Sequence, residues 1–159
     1  MSTSGLAAAA TIRVSNELGK GDHRAMRRAA FVLMGMAIAF MAAWGLVFIL
    51  GKNVLPFLYI DDIDVVKLAG PLIVVAGLFQ ISDGMQVVCA GALRGLHDVK
   101  VPSIFIFISY WVIGLPMGYW LGFHTSLGPL GIWVGLLTGL TLTASAMFGR
   151  FRYLARRAL

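Results

Sequence analysis

Four long apolar segments constrain this chain more than any other feature. They run from Ala29 to Leu50, Leu68 to Leu93, Ser103 to Phe123 and Pro129 to Gly149. Each reaches the roughly 20 residues that a helix needs to cross about 30 Å of hydrocarbon. Lipid offers no hydrogen-bond partners to free backbone groups, so each segment must form an α-helix. We therefore predict an all-α, polytopic membrane protein with four transmembrane helices.

The composition agrees with a lipid environment. Of the 159 residues, 59% are hydrophobic and only 13% are charged, whereas a soluble domain is about a quarter charged. The formal net charge is +6, but apart from Asp83 the charges lie in short connections and at the two ends. That placement favours a membrane over a nucleic-acid partner. We expect no secretory signal peptide, because the apolar run from Leu6 to Ala10 is too short and lacks a basic flank.

The basic residues predict an orientation. Eleven of the thirteen lysines and arginines lie before the first segment, between the second and third, or after the fourth. They are Arg13, Lys20, Arg24, Arg27, Arg28, Arg94, Lys100, Arg150, Arg152, Arg156 and Arg157. The other two, Lys52 and Lys67, share a connection with three aspartates. The positive-inside rule assigns the basic connections to the cytoplasm. We therefore predict a cytoplasmic (inner) membrane protein with both termini inside.

Small residues recur at four-residue spacing on the third and fourth segments. Such ladders let helix backbones approach closely in lipid, where no hydrophobic force drives association. We interpret both ladders as packing faces, although the sequence does not identify the helices they contact. The six residues are Gly114, Gly118, Gly122, Gly131, Gly135 and Gly139.

The stretch "FQISDGMQ" places Asp83 in the middle of the second segment. It lies about ten residues from Arg94, which corresponds to roughly 15 Å of depth. An ionised carboxylate near the bilayer midplane costs at least about 2.5–3.5 kcal/mol. Asp83 must therefore face a cavity or a partner, or carry a proton. Intramembrane acids usually mark ion or proton pathways, so we interpret Asp83 as a candidate cation or proton site. The alternative is a structural hydrogen bond to another helix.

Gln80 and Gln86 flank Asp83 at three-residue spacing and share its face of the helix. Their amides can offer oxygens to a cation or hydrogen bonds to a polar ligand, which makes them candidate cavity-lining residues. Uncharged amides also serve as interhelical contacts in membranes, and this second interpretation is the more common one. Tyr110 and the nearby aromatic residues are interpreted as packing or interfacial anchors.

The sequence contains no pattern typical of an enzyme site. We find no nucleophile with a base, no phosphate-binding loop and no cysteine–histidine spacing that predicts a metal site. The lone cysteine, Cys89, is most simply a small core residue. We therefore expect neither catalysis nor a cofactor.

Several stretches resemble a known family over nearly the whole chain. "AAAATIRVSNELGKGDHRA", "FQISDGMQVVCAGALRGLHDVKVPS" and "YWVIGLPMGYWLG" are similar, in order and spacing, to the C-terminal half of multidrug and toxin extrusion (MATE) transporters. "RVSNELGKGD" and "GALRGLHDVKVP" are the most specific. The resemblance implies twelve helices in two six-helix lobes, and exchange of Na⁺ or H⁺ for organic, often cationic, drugs or toxins.

The resemblance also implies how this chain maps onto the family. Residues 1–159 would be part of the C-terminal lobe, with spans at 29–50, 68–93, 103–123 and 129–149 as its last four helices. Residues 1–28 would be the end of the eighth helix, up to Ala10, and a cytoplasmic loop. Asp83 matches the acidic residue on the tenth helix that serves in cation coupling. The family's usual glutamate partner lies on the seventh helix, and Phe79 stands where some members have a tyrosine, so the choice of ion stays open.

Four helices of one lobe do not supply both walls of a cavity between repeats. We therefore expect a fragment, either a truncated reading frame or one piece of a split gene, that works with a missing N-terminal lobe or a partner subunit. One alternative is a non-transporting remnant or an accessory membrane subunit. Another is a related flippase for lipid-linked precursors, which the lack of basic residues inside the spans disfavours. A small antiparallel dimer is disfavoured by the strong charge bias.

Overall fold

The computed structural model describes residues 2–58 and 62–157, which form five long helices and one short 3₁₀ helix, Leu55–Leu58. The long helices are α1 (Ser2–Gly19), α2 (His23–Gly51), α3 (Ile63–Gly95), α4 (Lys100–His124) and α5 (Pro129–Arg157). Helices α2 to α5 are long and apolar enough to cross a membrane. The predicted all-α membrane protein with four spans is thus confirmed.

Local signals explain where the helices start. The Asp22 side chain accepts a hydrogen bond from the Ala25 amide at 2.9 Å and caps α2. Asp62 caps α3 in the same way through the Asp64 amide, also at 2.9 Å. Such N-caps satisfy backbone donors that the first helical turn leaves without partners.

Helix α1 differs from the expectation drawn from its short apolar run. It continues past Ala10 to Gly19, and the loop expected up to residue 28 is reduced to a turn at Lys20–Asp22. No proline or glycine interrupts the chain between Ala10 and Gly19, so nothing breaks the helix there. Gly21 ends the turn with a φ of 75°, a conformation that glycine adopts without steric cost.

Helix α4 changes its hydrogen-bonding pattern halfway. It is α-helical over Lys100–Phe107, π-helical over Ile108–Gly114 and α-helical again over Leu115–His124. Pro116 follows the π-helical turns directly and has no amide hydrogen to donate. The Leu115 amide donates to the Tyr110 carbonyl, five residues back. The wider turns therefore adjust the backbone just ahead of a residue that would interrupt a regular ladder.

A cluster of buried hydrophobic residues forms a core at one end of the bundle. We call this the basic end, since it holds the α1–α2 turn, the α3–α4 connection and the C-terminal part of α5. Four of the five long helices contribute to it, namely α1, α2, α3 and α5. The core residues are Ala10, Val14, Met26, Ala30, Met34, Ala37, Val88, Cys89, Ala92, Leu93, Met147, Phe151 and Ala155.

An ion pair joins α5 to the α3–α4 connection at the basic end. Arg150 on α5 donates from Nε to Asp98 Oδ2 in the α3–α4 connection at 2.8 Å, and both side chains are largely buried. The neighbouring His97 has a φ of 60°, the left-handed conformation that a tight turn requires. The connection is therefore held against α5 by a charge-assisted hydrogen bond.

The glycine ladders of α4 and α5 face each other. A Cβ atom added to Gly135 would collide with the backbone of Gly118, and one added to Gly139 would lie 2.7 Å from the Ser109 carbonyl oxygen. Gly114 also lies between these backbones, with Gly135 and Gly139 close to its Cα side. The two helices thus approach more closely than any side chain at these positions would allow.

Candidate functional site

Asp83 lies on α3 beyond the buried core. Six residues, or about 9 Å along the helix, separate it from Cys89, which is fully buried. The Asp83 side chain is only partly buried. Within residues 2–58 and 62–157, it enters none of the ion pairs, which join Lys20 to Glu17, Lys67 to Asp64 and Arg150 to Asp98. The described chain therefore presents this carboxylate without a fixed counter-ion.

One contact beside Asp83 joins α3 to α4. The Tyr110 hydroxyl donates to Gln86 Oε1 at 3.3 Å. Gln86 lies one turn from Asp83 on the same face of α3. The polar face of α3 that carries Asp83 and Gln86 is thus in contact with α4 through Tyr110.

Two further contacts join α3 to α5 at the same depth. The Ser82 and Thr141 hydroxyls are 3.0 Å apart, and the Phe79 and Trp133 rings meet edge to face with centroids 6.2 Å apart. Phe79 precedes Asp83 by one turn and Ser82 precedes it by one residue. Asp83 is therefore placed on a helix that is held on both sides of it.

Gln80 and Gln86 differ in their hydrogen bonds. Gln86 is engaged by Tyr110, whereas the Gln80 side chain enters none of the hydrogen bonds found among the described residues. Both side chains are partly exposed. Gln80, Asp83 and Gln86 therefore line one face of α3, with a carboxylate between two amides.

Three residues of this region were not predicted as site residues. Sequence reasoning placed Tyr110 among the anchors, while Ser82 and Thr141 gave no signal. A single hydroxyl in a membrane helix commonly bonds to its own backbone, and Thr141 does so as well, through the Leu137 carbonyl at 2.8 Å. By contrast, Trp111, Tyr119 and Trp120 are at least 60% exposed on the outer surface of α4, away from any shared cage.

This arrangement suits a small, hard cation or a proton. Oxygen ligands are those that hard cations prefer, and the carboxylate and amide groups supply them. No group of three or more histidine, cysteine, aspartate or glutamate side chains that could hold a metal ion occurs within the described ranges. A single carboxylate at this depth is chemically able to exchange a proton or a monovalent ion.

Comparison with known sequences identifies relatives over nearly the whole chain. The profile of the MatE family matches residues 1–120. A probable multidrug resistance protein NorM from Rhodopseudomonas palustris is 43% identical over 159 residues, covering 98% of this chain and 34% of the relative. Multidrug resistance protein NorM from Burkholderia vietnamiensis is 46% identical over 148 residues, covering 90% and 32%. This chain spans about a third of the length of the curated relatives it matches.

Solved structures share the fold. The eukaryotic MATE transporter AtDTX14 superposes with a TM-score of 0.84 at 24% identity, over 98% of this chain and 36% of that protein. An inward-facing multidrug resistance MATE family transporter of the MOP superfamily gives 0.83 at 18% identity, over 96% and 35%. The helices of this chain are therefore arranged as in part of a MATE transporter.

Proposed function

This chain belongs to the MatE family, and we propose that it forms the last four transmembrane helices of a cation-coupled exporter of organic, often cationic compounds. The names of the relatives from R. palustris and B. vietnamiensis, which are multidrug resistance proteins, support this activity. In the proposal, residues 1–159 are part of the C-terminal six-helix lobe. The basic end, which holds the α1–α2 turn and the C-terminal part of α5, faces the cytoplasm of an inner membrane, because it carries eleven of the thirteen basic residues.

The observation that carries the proposal is that Asp83 is partly exposed and unpaired among the described residues. Its carboxylate lies at mid-depth, is partly exposed and has no counter-ion among the described residues. Binding of H⁺ or Na⁺ would remove the free-energy cost of a charge in the membrane, and release would restore it. A conformation that exposes Asp83 to water and one that shelters it therefore differ in their affinity for the cation. That difference is what couples an ion gradient to the opening of a cavity.

Neighbouring residues have supporting roles in this mechanism. Gln80 offers a free amide oxygen beside the carboxylate, while Gln86 is positioned by Tyr110. The six ladder glycines let α4 and α5 move or pack as one unit beside α3. The substrate itself would bind between repeats, so this chain supplies one wall. The other wall belongs to the remaining helices, on the same or a partner polypeptide.

A chimera tests the proposal. This chain replaces the matching third of the R. palustris relative, and ethidium, an organic cation, is the transported probe. We expect cells that express the chimera to extrude ethidium under a Na⁺ or pH gradient. Asp83→Asn should abolish the gradient-driven part of this efflux without lowering the amount of protein in the membrane.

The matched control is Asp64→Asn, which removes the same charge from the exposed start of α3. This variant should keep its efflux. Asp83→Glu keeps the charge and should keep part of the coupling. Gradient-driven efflux that is unchanged in Asp83→Asn would rule out the coupling role.

An accessory or non-transporting role is the alternative function. The purified 159-residue chain in liposomes under an imposed ion gradient separates the two. Our proposal expects no ethidium transport by the chain alone and transport by the chimera. A chimera that inserts normally yet transports nothing would favour the accessory role.

A further inference from the structure

A groove runs between α1 and α2 at the basic end. It has a volume of about 520 Å³, which lies within the range of small-molecule sites. The turn at Lys20–Asp22 joins the two helices, and Glu17 and Ala25 line the groove on either side of this turn. Its lining residues come from α1 and α2, whereas the contacts beside Asp83 are made by α3, α4 and α5, so the groove has no part in the proposed coupling.

The rim of the groove is positively charged. Arg13 on α1 and Arg28 on α2 both line it and are exposed. Glu17 is the acidic residue of the rim, and its carboxylate already pairs with Lys20 Nζ at 3.0 Å. Neither arginine takes part in the ion pairs found in the described ranges. Two guanidinium groups are thus available at the level of the lipid headgroups.

The floor of the groove is apolar. Ala29, Val32, Leu33 and Met36 on α2 line it, and Ala9 on α1 forms the other side. Met36 lies eight residues from Arg28, which is about 12 Å deeper into the membrane. Val32 and Met36 are both more than half exposed. The charged rim and the apolar floor therefore follow the membrane normal in the order in which a phospholipid presents its headgroup and its acyl chain.

We propose that this groove binds an anionic phospholipid, with its phosphate between Arg13 and Arg28 and an acyl chain against Val32 and Met36. Guanidinium groups bind phosphate oxygens in a bidentate manner. Basic pockets between transmembrane helices on the cytoplasmic side are suited to anionic headgroups. The location in the cytoplasmic leaflet rests on the orientation proposed above. A transmembrane helix is a poorer occupant, since it would need acidic residues at the rim to match the two arginines.

Native mass spectrometry of the chain tests this site. The chain is purified in detergent and mixed with phosphatidylglycerol, with phosphatidylcholine of the same acyl chains, or with glycerol phosphate. We expect retention of phosphatidylglycerol in preference to the other two. Arg13→Gln with Arg28→Gln should weaken retention roughly tenfold or more, since each basic residue near an anionic surface contributes appreciably, and Arg13→Lys with Arg28→Lys should restore part of it. Val32→Trp, which fills the floor, should also lower it.

The matched control is Arg24→Gln with Arg27→Gln, which removes the same charge from α2 outside the groove and should leave retention intact. Equal loss in the control would overturn the site, because the effect would then reflect net charge alone. Binding of glycerol phosphate as well as the lipid would overturn the role of the apolar floor. Lipid bound by the chain but excluded from the chimera would show that another helix fills the groove, which also overturns the proposal.

The lipid-binding measurement does not depend on transport. Loss of lipid binding with intact Asp83-dependent efflux would remove this inference alone. Retained lipid binding in a chimera that shows no coupling would remove the proposed function alone.

Discussion

The basic end and the middle of the bundle are built differently. At the basic end, four helices enclose Cys89, Leu93, Met147 and Phe151, which are all fully buried. At mid-depth, Asp83 is partly exposed, and the hydrogen bonds and ring contacts that join α3 to α4 and α5 involve single pairs of side chains. Towards α2, α3 stays closely packed at this depth, since Gly84 lies against Met41. One part of α3 is thus enclosed by three other helices, while around Asp83 its contacts with α4 and α5 are few.

This difference lets one part of α3 fix the position of the helix while another part can change its contacts. Close-packed cores resist small changes in volume, so the basic end fixes α3 relative to α1, α2 and α5. Isolated contacts between membrane helices contribute little each, about 0.6 kcal/mol on average. The contacts of α3 with α4 and α5 near Asp83 can therefore rearrange at low cost while the basic end stays assembled. The following substitutions test that separation, from the largest expected effect to the smallest.

Phe151→Ala should be the most damaging substitution. The ring is fully buried and meets Phe31 edge to face with centroids 6.0 Å apart. Its removal leaves a cavity, which costs about 3–5 kcal/mol for a buried aromatic residue. The free energy of unfolding in detergent, measured by circular dichroism, checks this. Phe123→Ala is the control, because that ring is 69% exposed. Equal losses in both variants would contradict the close packing of the core at the basic end.

Gly135→Val should destabilise the contact between α4 and α5. The added side chain would collide with the Gly118 backbone, and overpacking of this kind costs about 1–3 kcal/mol. The same unfolding measurement applies. Gly149→Val lies on the same helix with open space around its Cα atom and should be nearly neutral. If the two variants behave alike, the close approach of the ladders does not stabilise the protein.

Asp98→Asn should cost about 1 kcal/mol, since it removes the charge from a partly buried hydrogen bond. A double-mutant cycle with Arg150→Gln isolates the pair. The comparison is the exposed pair of Lys67 and Asp64, 3.5 Å apart, whose coupling energy should be close to zero. A coupling energy for Asp98 and Arg150 no larger than that of the exposed pair would mean that this ion pair does not stabilise the contact between α5 and the α3–α4 connection.

Ser82→Ala should have the smallest effect, about 0.6 kcal/mol, which is typical of a hydrogen bond between membrane helices. It removes the contact with Thr141 at 3.0 Å. Ser145→Ala is the control, because that hydroxyl bonds to the Thr141 carbonyl of its own helix at 2.8 Å. A loss from Ser82→Ala as large as that from Phe151→Ala would remove the distinction between the two regions.

The sequence predicted the helices well because lipid leaves few choices. Length and hydropathy sufficed for the four spans from α2 to α5, since no other structure satisfies the backbone there. They did not predict the length of α1, because an apolar run marks the part of a helix in lipid and not its polar continuation to Gly19. The π-helical turns before Pro116 were also missed, since a proline indicates a disturbance without specifying its form.

The contacts around Asp83 depended on tertiary structure. The ladder glycines indicated close packing, but only the structure identifies α4 and α5 as facing each other. Tyr110 looked like an interfacial anchor because its distance to Gln86 depends on how α4 lies against α3. The residues Asp98 and Arg150 are 52 positions apart, and no local pattern connects them.

Cysteine labelling tests most directly whether Asp83 faces water while the basic end is closed. Native Cys89, six residues away and fully buried, is the reference in a second version of the chimera that keeps both Asp83 and Cys89. In the chimera, with its other cysteines replaced, Asp83→Cys combined with Cys89→Ala is treated with a membrane-impermeant thiol reagent. We predict rapid labelling of this variant and negligible labelling of native Cys89, because the reagent needs an accessible thiolate. Labelling of Asp83→Cys as slow as that of Cys89 would contradict the account.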